Sequence, residues 1–293
     1  MTHAEQALGL EPGSFPFESH FCAVGGAKIH YVDEGQGTTL FMVHGNPTWS
    51  FLYRDVIGAL RSRFRCIAID LPSFGLSDPP DKFSYLPEDH VLVVAALLAE
   101  LGVRDGVLVA HDWGGPIGLA AAIAQPGRLT RFVLGNTWAW PVNGEWHFEW
   151  FSRLMGGPFG RFAAKHWNLF VNGFMTTSMR RGSMTPAVKR AYLAPLRDPA
   201  RRAGTHVFPA SIIGSRDFLR GIELRLPDFD ATRFLFLWPD RDVAFRTAEL
   251  ARWQSILPAA SVVHLRNCGH YIFEEAGGEC ADAIATWLAR AAP

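Results

Sequence analysis

A mostly parallel, doubly wound α/β sheet is expected for this chain on three grounds. Four apolar runs, RCIAID (65–70), GVLVAHD (106–112), TRFVLGN (130–136) and TRFLFLW (232–238), are continuous rather than alternating. Strands covered on both faces of a parallel sheet have that pattern. Helical stretches lie between strand-like runs, and such alternation builds parallel sheets. The 293 residues are 48% hydrophobic and only 19% charged, enough to bury a large core.

In chain order, FCAVGGAKIHYVDEG (21–35) and TTLFMVHG (38–45) read as short β-rich runs closed by glycine. The segment from Pro87 to Leu101 reads as a helix. It has proline in the first turn, Glu88 and Asp89 where the helix dipole favours acids, and Gly102 as a stop. A small-residue helix is expected over Pro116–Ala124 and an amphipathic one over Glu279–Arg290. Between them, residues 136–215 break the rhythm, with scattered Gly and Pro and no clear strand. This stretch reads as a helical cap inserted into a core formed by residues 1–135 and 216–293. Five of the ten tryptophans fall in it, Trp138, Trp140, Trp146, Trp150 and Trp167. They either pack the cap onto the core or line an apolar pocket, and both can hold at once.

Lys+Arg and Asp+Glu are each 28, so the formal charge is zero. That balance argues against nucleic acid, whose binding rests on concentrated positive charge. The four cysteines, at 22, 66, 268 and 280, are too few for a disulfide scaffold and contain no C-x-x-C pair. Residues 1–13 lack a basic start and an apolar stretch, and no segment approaches the roughly 20 apolar residues that span a bilayer. The expectation is a cytoplasmic protein without a membrane partner.

The chemistry-bearing text begins with VLVAHDWGG (107–115), a strand running into a glycine-flanked turn and then a helix. Such an elbow lifts one side chain, here Asp112, above the sheet edge as a nucleophile. Asp112 also suits plain capping of the next helix, and the motif alone leaves both readings open. His270, in NCGHY (267–271), follows the apolar run Ser261–Leu265, where a general base is expected. Asp242, in FLWPDRDV (236–243), ends the preceding buried strand. Nucleophile, acid and histidine then follow one another in the order of α/β-hydrolases, which favours the catalytic reading. Asn46, in VHGNPTW (43–49), and Trp113 are placed to supply the two backbone N–H groups of an oxyanion hole, and both carry side-chain N–H donors as well.

With these residues in place, HGNPTW (44–49), DLPSFGLSD (70–78), HDWGG (111–115), WPDRD (238–242) and NCGHY (267–271) resemble the haloalkane dehalogenases of the α/β-hydrolase superfamily. The likeness runs over nearly the whole chain and is weakest in the insertion. It implies Asp112 as nucleophile, His270 as base, and Asn46 with Trp113 as the halide-holding pair. Many members carry their acid as a Glu after the strand that follows the nucleophile helix. Here that strand ends VLGN (133–136), so the role passes to Asp242, as in other branches. Some of those branches hold halide with a cap tryptophan, so the five named above are alternative donors.

A carboxylate nucleophile suits displacement at an sp³ carbon, because the ester it leaves is hydrolysed at its own carbonyl. The expected partners are a small halogenated aliphatic substrate, halide and water, with no metal or organic cofactor. An epoxide hydrolase would use the same Asp, His and Asp, but with two cap tyrosines. Of five tyrosines only Tyr192 lies in the expected cap. Fluoroacetate dehalogenases carry Arg where this chain has Trp113.

Overall fold

The computed structural model describes residues 1–290, and among them eight strands form one sheet. They are β1 (His20–Val24), β2 (Ala27–Glu34), β3 (Thr39–Val43), β4 (Arg65–Ile69), β5 (Gly106–His111), β6 (Leu129–Gly135), β7 (Phe234–Pro239) and β8 (Ser261–Leu265). Their order across the sheet is β1-β2-β4-β3-β5-β6-β7-β8. Strand β2 runs antiparallel to both its neighbours, and every pairing from β4 to β8 is parallel.

The continuous apolar runs are explained by two cores, one on each face. In β3, Phe41 and Val43 enter one cluster while Leu40 and Met42 enter the other. In β7, Phe234 and Phe236 face one side and Leu235 and Leu237 the other. With both faces covered, a polar residue has no solvated side to occupy. Helices Arg54–Leu60 and Gly277–Arg290 pack together over one face, and Pro87–Glu100 and Gly114–Ala124 over the other.

Two helices start two residues earlier than their composition predicts, at Gly114 and Gly277. Glycine reads as a breaker, yet here it permits close approach. A Cβ on Gly114 would lie 2.0 Å from the Val43 carbonyl oxygen, and one on Gly277 would lie 2.7 Å from Asp55 Cβ.

Between β6 and β7 the chain forms helices Trp146–Gly156, Pro158–Trp167, Pro186–Leu193, Ala203–Gly214 and Arg216–Glu223. Among the described residues this stretch contains no strand, and none of their helices is long and apolar enough to cross a membrane.

Candidate active site

The turn after β5 is an elbow. Asp112 has φ +51°, a left-handed conformation that costs a non-glycine residue roughly 1–2 kcal/mol. It persists because its backbone is held on both sides. Asp112 N–H donates to the Asn136 carbonyl at 3.1 Å, while Thr137 Oγ1 and Gly115 N–H donate to the Asp112 carbonyl at 2.7 and 3.0 Å. The loop after β3 approaches so closely that a Cβ on Gly45 would sit 2.3 Å from Asp112 Oδ1. That approach brings Asn46 N–H to Asp112 Oδ1 at 2.8 Å. The Trp113 N–H also donates to this carboxylate. Both expected oxyanion-hole donors therefore meet the Asp112 carboxylate itself.

His270 follows β8 and Asp242 follows β7, which brings them together with Asp112 above the carboxyl ends of the strands. His270 Nδ1–H donates to Asp242 Oδ2 at 2.9 Å, and its Nε2 stands 3.8 Å from Asp112 Oδ2, beyond direct hydrogen bonding. Asp242 has a wholly buried side chain and also accepts from Ala244 N–H at Oδ1, 2.8 Å, and from Asn136 Nδ2 at Oδ2, 2.5 Å. Asp240, two residues away, is exposed beside Arg241. Burial pushes the Asp242 carboxyl upward, but His270 and the converging donors hold it below the ordinary carboxylate value. Burial favours neutral His270, yet the Asp242 carboxylate outweighs it and raises the imidazole above 6.5. For Asp112 burial prevails, and its carboxyl lies above the ordinary value despite His270 and the two N–H donors.

Several supporting residues carry no sequence signal of their own. His44 accepts from Leu71 N–H at Nε2, 2.9 Å, so its Nδ1 carries the proton and donates to the Gly45 carbonyl at 2.8 Å. Burial pushes its pKa down to about 4, which keeps the ring neutral and the loop before Asn46 fixed. Glu275 joins the His270 loop to the inserted segment: Oε1 accepts from Gly269 N–H at 2.9 Å, and Oε2 from Arg180 and Arg181 N–H at 2.6 and 3.0 Å. Asn136 occupies the place where a Glu is common in the resembled family, and its polarity at a strand's carboxyl end was the one available clue.

Above Asp112 lies an apolar cavity of about 360 Å³, within the usual range for small-molecule sites. Asn46, Trp113 and His270 line it, as do Trp138, Trp146 and Trp150. Of the five tryptophans singled out, the other two do not face it. Trp140 is buried against Trp253 under the Arg252 guanidinium, and Trp167 is exposed beside Phe162. Trp113 stacks on Phe208 and meets Trp138 edge-on. The Asn46 amide donates one N–H to the Thr205 carbonyl at 3.2 Å, which leaves its second N–H. Glu145, His147 and Glu249 are close enough to share a metal ion, but His147 Nε2 is already engaged by Arg246 at 2.7 Å.

The α/β hydrolase fold family matches residues 38–277 of the chain. Haloalkane dehalogenase 2 of Mycobacterium tuberculosis is 38% identical over 94% of this chain and 96% of its own length. A cis-3-alkyl-4-alkyloxetan-2-one decarboxylase of Shewanella oneidensis is 35% identical over 90% of this chain and 86% of its own. In fold, a haloalkane dehalogenase from Agrobacterium tumefaciens superposes with a TM-score of 0.84, covering 96% of this chain and all of the other at 23% identity. The chain is an enzyme of the α/β-hydrolase superfamily and belongs, within it, to the haloalkane dehalogenase family.

Proposed function

We propose that the enzyme hydrolyses the carbon–halogen bond of small haloalkanes through an ester on Asp112. The observation that carries this reading is a carboxylate, not a hydroxyl, at the elbow. One of its oxygens is held by Asn46 N–H at 2.8 Å, and it faces an apolar cavity. With Oδ1 so held, Oδ2 attacks the halogen-bearing carbon, and the C–X electron pair leaves with halide toward the second N–H of Asn46 and the Trp113 indole. Fixed donors in a dry pocket are the largest stabilisation available to such charge. Water then adds to Asp112 Cγ while His270 Nε2 takes its proton, and Oδ1 becomes an oxyanion facing the Asn46 and Trp113 N–H groups. Collapse breaks the alkyl–oxygen ester at Cγ, the alcohol regains the proton from His270, and Asp112 ionises. Asp242 orients the imidazole and stabilises its charged form.

The epoxide reading is less well supported. Tyr192, in the inserted segment, donates to Glu274 at 2.6 Å in the core and does not line the cavity. A second reading comes from the oxetanone decarboxylases. Attack of Asp112 on the ring C4 of such a β-lactone would expel its carboxylate instead of halide. Loss of CO2 with cleavage of the new ester would then give an alkene and restore Asp112 without water.

His270→Phe tests the main reading. Incubated with a short bromoalkane, it should release one bromide per active site and accumulate an alkylated peptide containing Asp112, detected by mass spectrometry. Unmodified protein after long incubation refutes the two-step scheme. Wild-type enzyme given a cis-3,4-dialkyl oxetan-2-one should release no CO2; release without bromoalkane turnover would favour the second reading.

A further inference from the structure

Helix Ala203–Gly214 carries Pro209 in its interior. In an α-helix the N–H of each residue bonds the carbonyl four positions earlier, and proline has no N–H. The carbonyl left without its helical donor is that of Thr205, and this is the carbonyl that accepts Asn46 Nδ2 at 3.2 Å. Thr205 is buried, so an unpaired carbonyl there would be costly. Asn46 has no other side-chain hydrogen bond among the described residues, its Oδ1 being buried without a partner. The Thr205 carbonyl therefore decides which way the amide lies. With nitrogen and oxygen exchanged, oxygen would face oxygen.

We infer that Pro209 is a positioning residue for the leaving-group site: by withholding an N–H from the helix it frees the Thr205 carbonyl to orient the Asn46 amide. The remaining Asn46 N–H is thereby turned to the cavity. This rests on the reading above, in which Asn46 holds the departing anion. A residue with an N–H at 209 would compete for the same carbonyl and release the amide to rotate.

The test uses sodium bromide as the probe, followed by quenching of tryptophan fluorescence and by product inhibition of bromoalkane turnover. Pro209→Ala restores the N–H at a position where alanine favours the helix, so the fold is kept and the melting temperature should rise. Its bromide dissociation constant should increase about five- to tenfold, the loss of roughly one hydrogen bond. Lactic acid at 209, introduced by nonsense suppression, has the alanine side chain but an ester oxygen instead of the N–H, and should recover most of that affinity. In an Asn46→Ala background, Pro209→Ala should weaken bromide no further. Equal weakening by alanine and lactic acid, or an undiminished Pro209→Ala effect without Asn46, would mean that the ring merely packs the wall and would overturn the inference alone. Unchanged bromide affinity in Asn46→Ala would remove the underlying reading, and the inference with it.

Discussion

Replacing Asp242 with asparagine probes the base most directly, because three donors converge on that side chain. Its carboxylate accepts from His270 Nδ1, Asn136 Nδ2 and Ala244 N–H, at 2.9, 2.5 and 2.8 Å. An amide offers one accepting oxygen, so its NH2 must face either Ala244 N–H or the His270 and Asn136 donors. In the first orientation a buried N–H is orphaned, at about 1–3 kcal/mol. In the second, His270 moves its proton to Nε2 and can no longer take one from water. Either way the imidazolium loses its buried carboxylate, a charge-assisted contact worth about 1.5–3 kcal/mol. The orphaned group costs stability in ground and transition state alike, so the rate feels the lost imidazolium contact, about 1.5–3 kcal/mol or roughly one to two orders of magnitude in the hydrolytic step. Alkylation needs no base and should survive. Rapid-quench measurement with a bromoalkane should show one bromide per site in a burst, followed by turnover slowed by roughly ten- to a hundredfold. Asp240→Asn, at an exposed position, should leave both phases intact. Equal loss of burst and steady state in Asp242→Asn, or greater damage from Asp240→Asn, would refute the reasoning.

Asn46→Ala removes one donor to a buried anion, so bromide release should slow by roughly one to two orders of magnitude if chemistry limits, corresponding to about 1.5–3 kcal/mol. Stopped-flow alkylation rates check this. His270 must be neutral to act, and its pKa is raised above 6.5, so turnover should rise with pH through a midpoint above that value. Alkylation needs only ionised Asp112, so the single bromide burst should follow the titration of that carboxyl, itself raised by burial, and not the His270 midpoint. Glu275→Gln sets an NH2 group against one of three backbone N–H donors and should cost about 1–3 kcal/mol. Calorimetry should show a melting temperature lower by several degrees.

The strands were legible because both faces of the sheet are covered, so RCIAID, GVLVAHD and TRFLFLW show no polar alternation. The positions of Asp112, Asp242 and His270 beyond the carboxyl ends of β5, β7 and β8 were legible from the apolar runs that precede them, while the roles proposed for them leaned on the motifs and the family resemblance. Gly114 and Gly277 misled, since glycine marks a stop by propensity but serves here for close contact. The tryptophans of the insertion were legible as a group and not singly. Which of them face the cavity depends on how helix Trp146–Gly156 lies against Ala203–Gly214, a matter of packing that no local pattern encodes. For the same reason the Asn46–Thr205 contact, 159 residues apart in sequence, left no trace.

The inserted helices do more than roof the cavity, because they hold the loops beneath it. The His270 N–H donates to the Ser178 carbonyl at 3.0 Å, and a Cβ on Gly269 would lie 1.8 Å from that same oxygen, so only glycine allows the approach. Asn46 takes its orientation from Thr205. The proposed base and the proposed leaving-group donor are therefore each fixed by a backbone carbonyl of the insertion. An exchange of this segment with a relative's would then alter proton transfer and anion binding together with pocket shape. Trp146 and Trp150 line the cavity yet are 77% and 61% exposed, so the insertion contributes an apolar rim as well as the two carbonyls that keep the reacting groups in register.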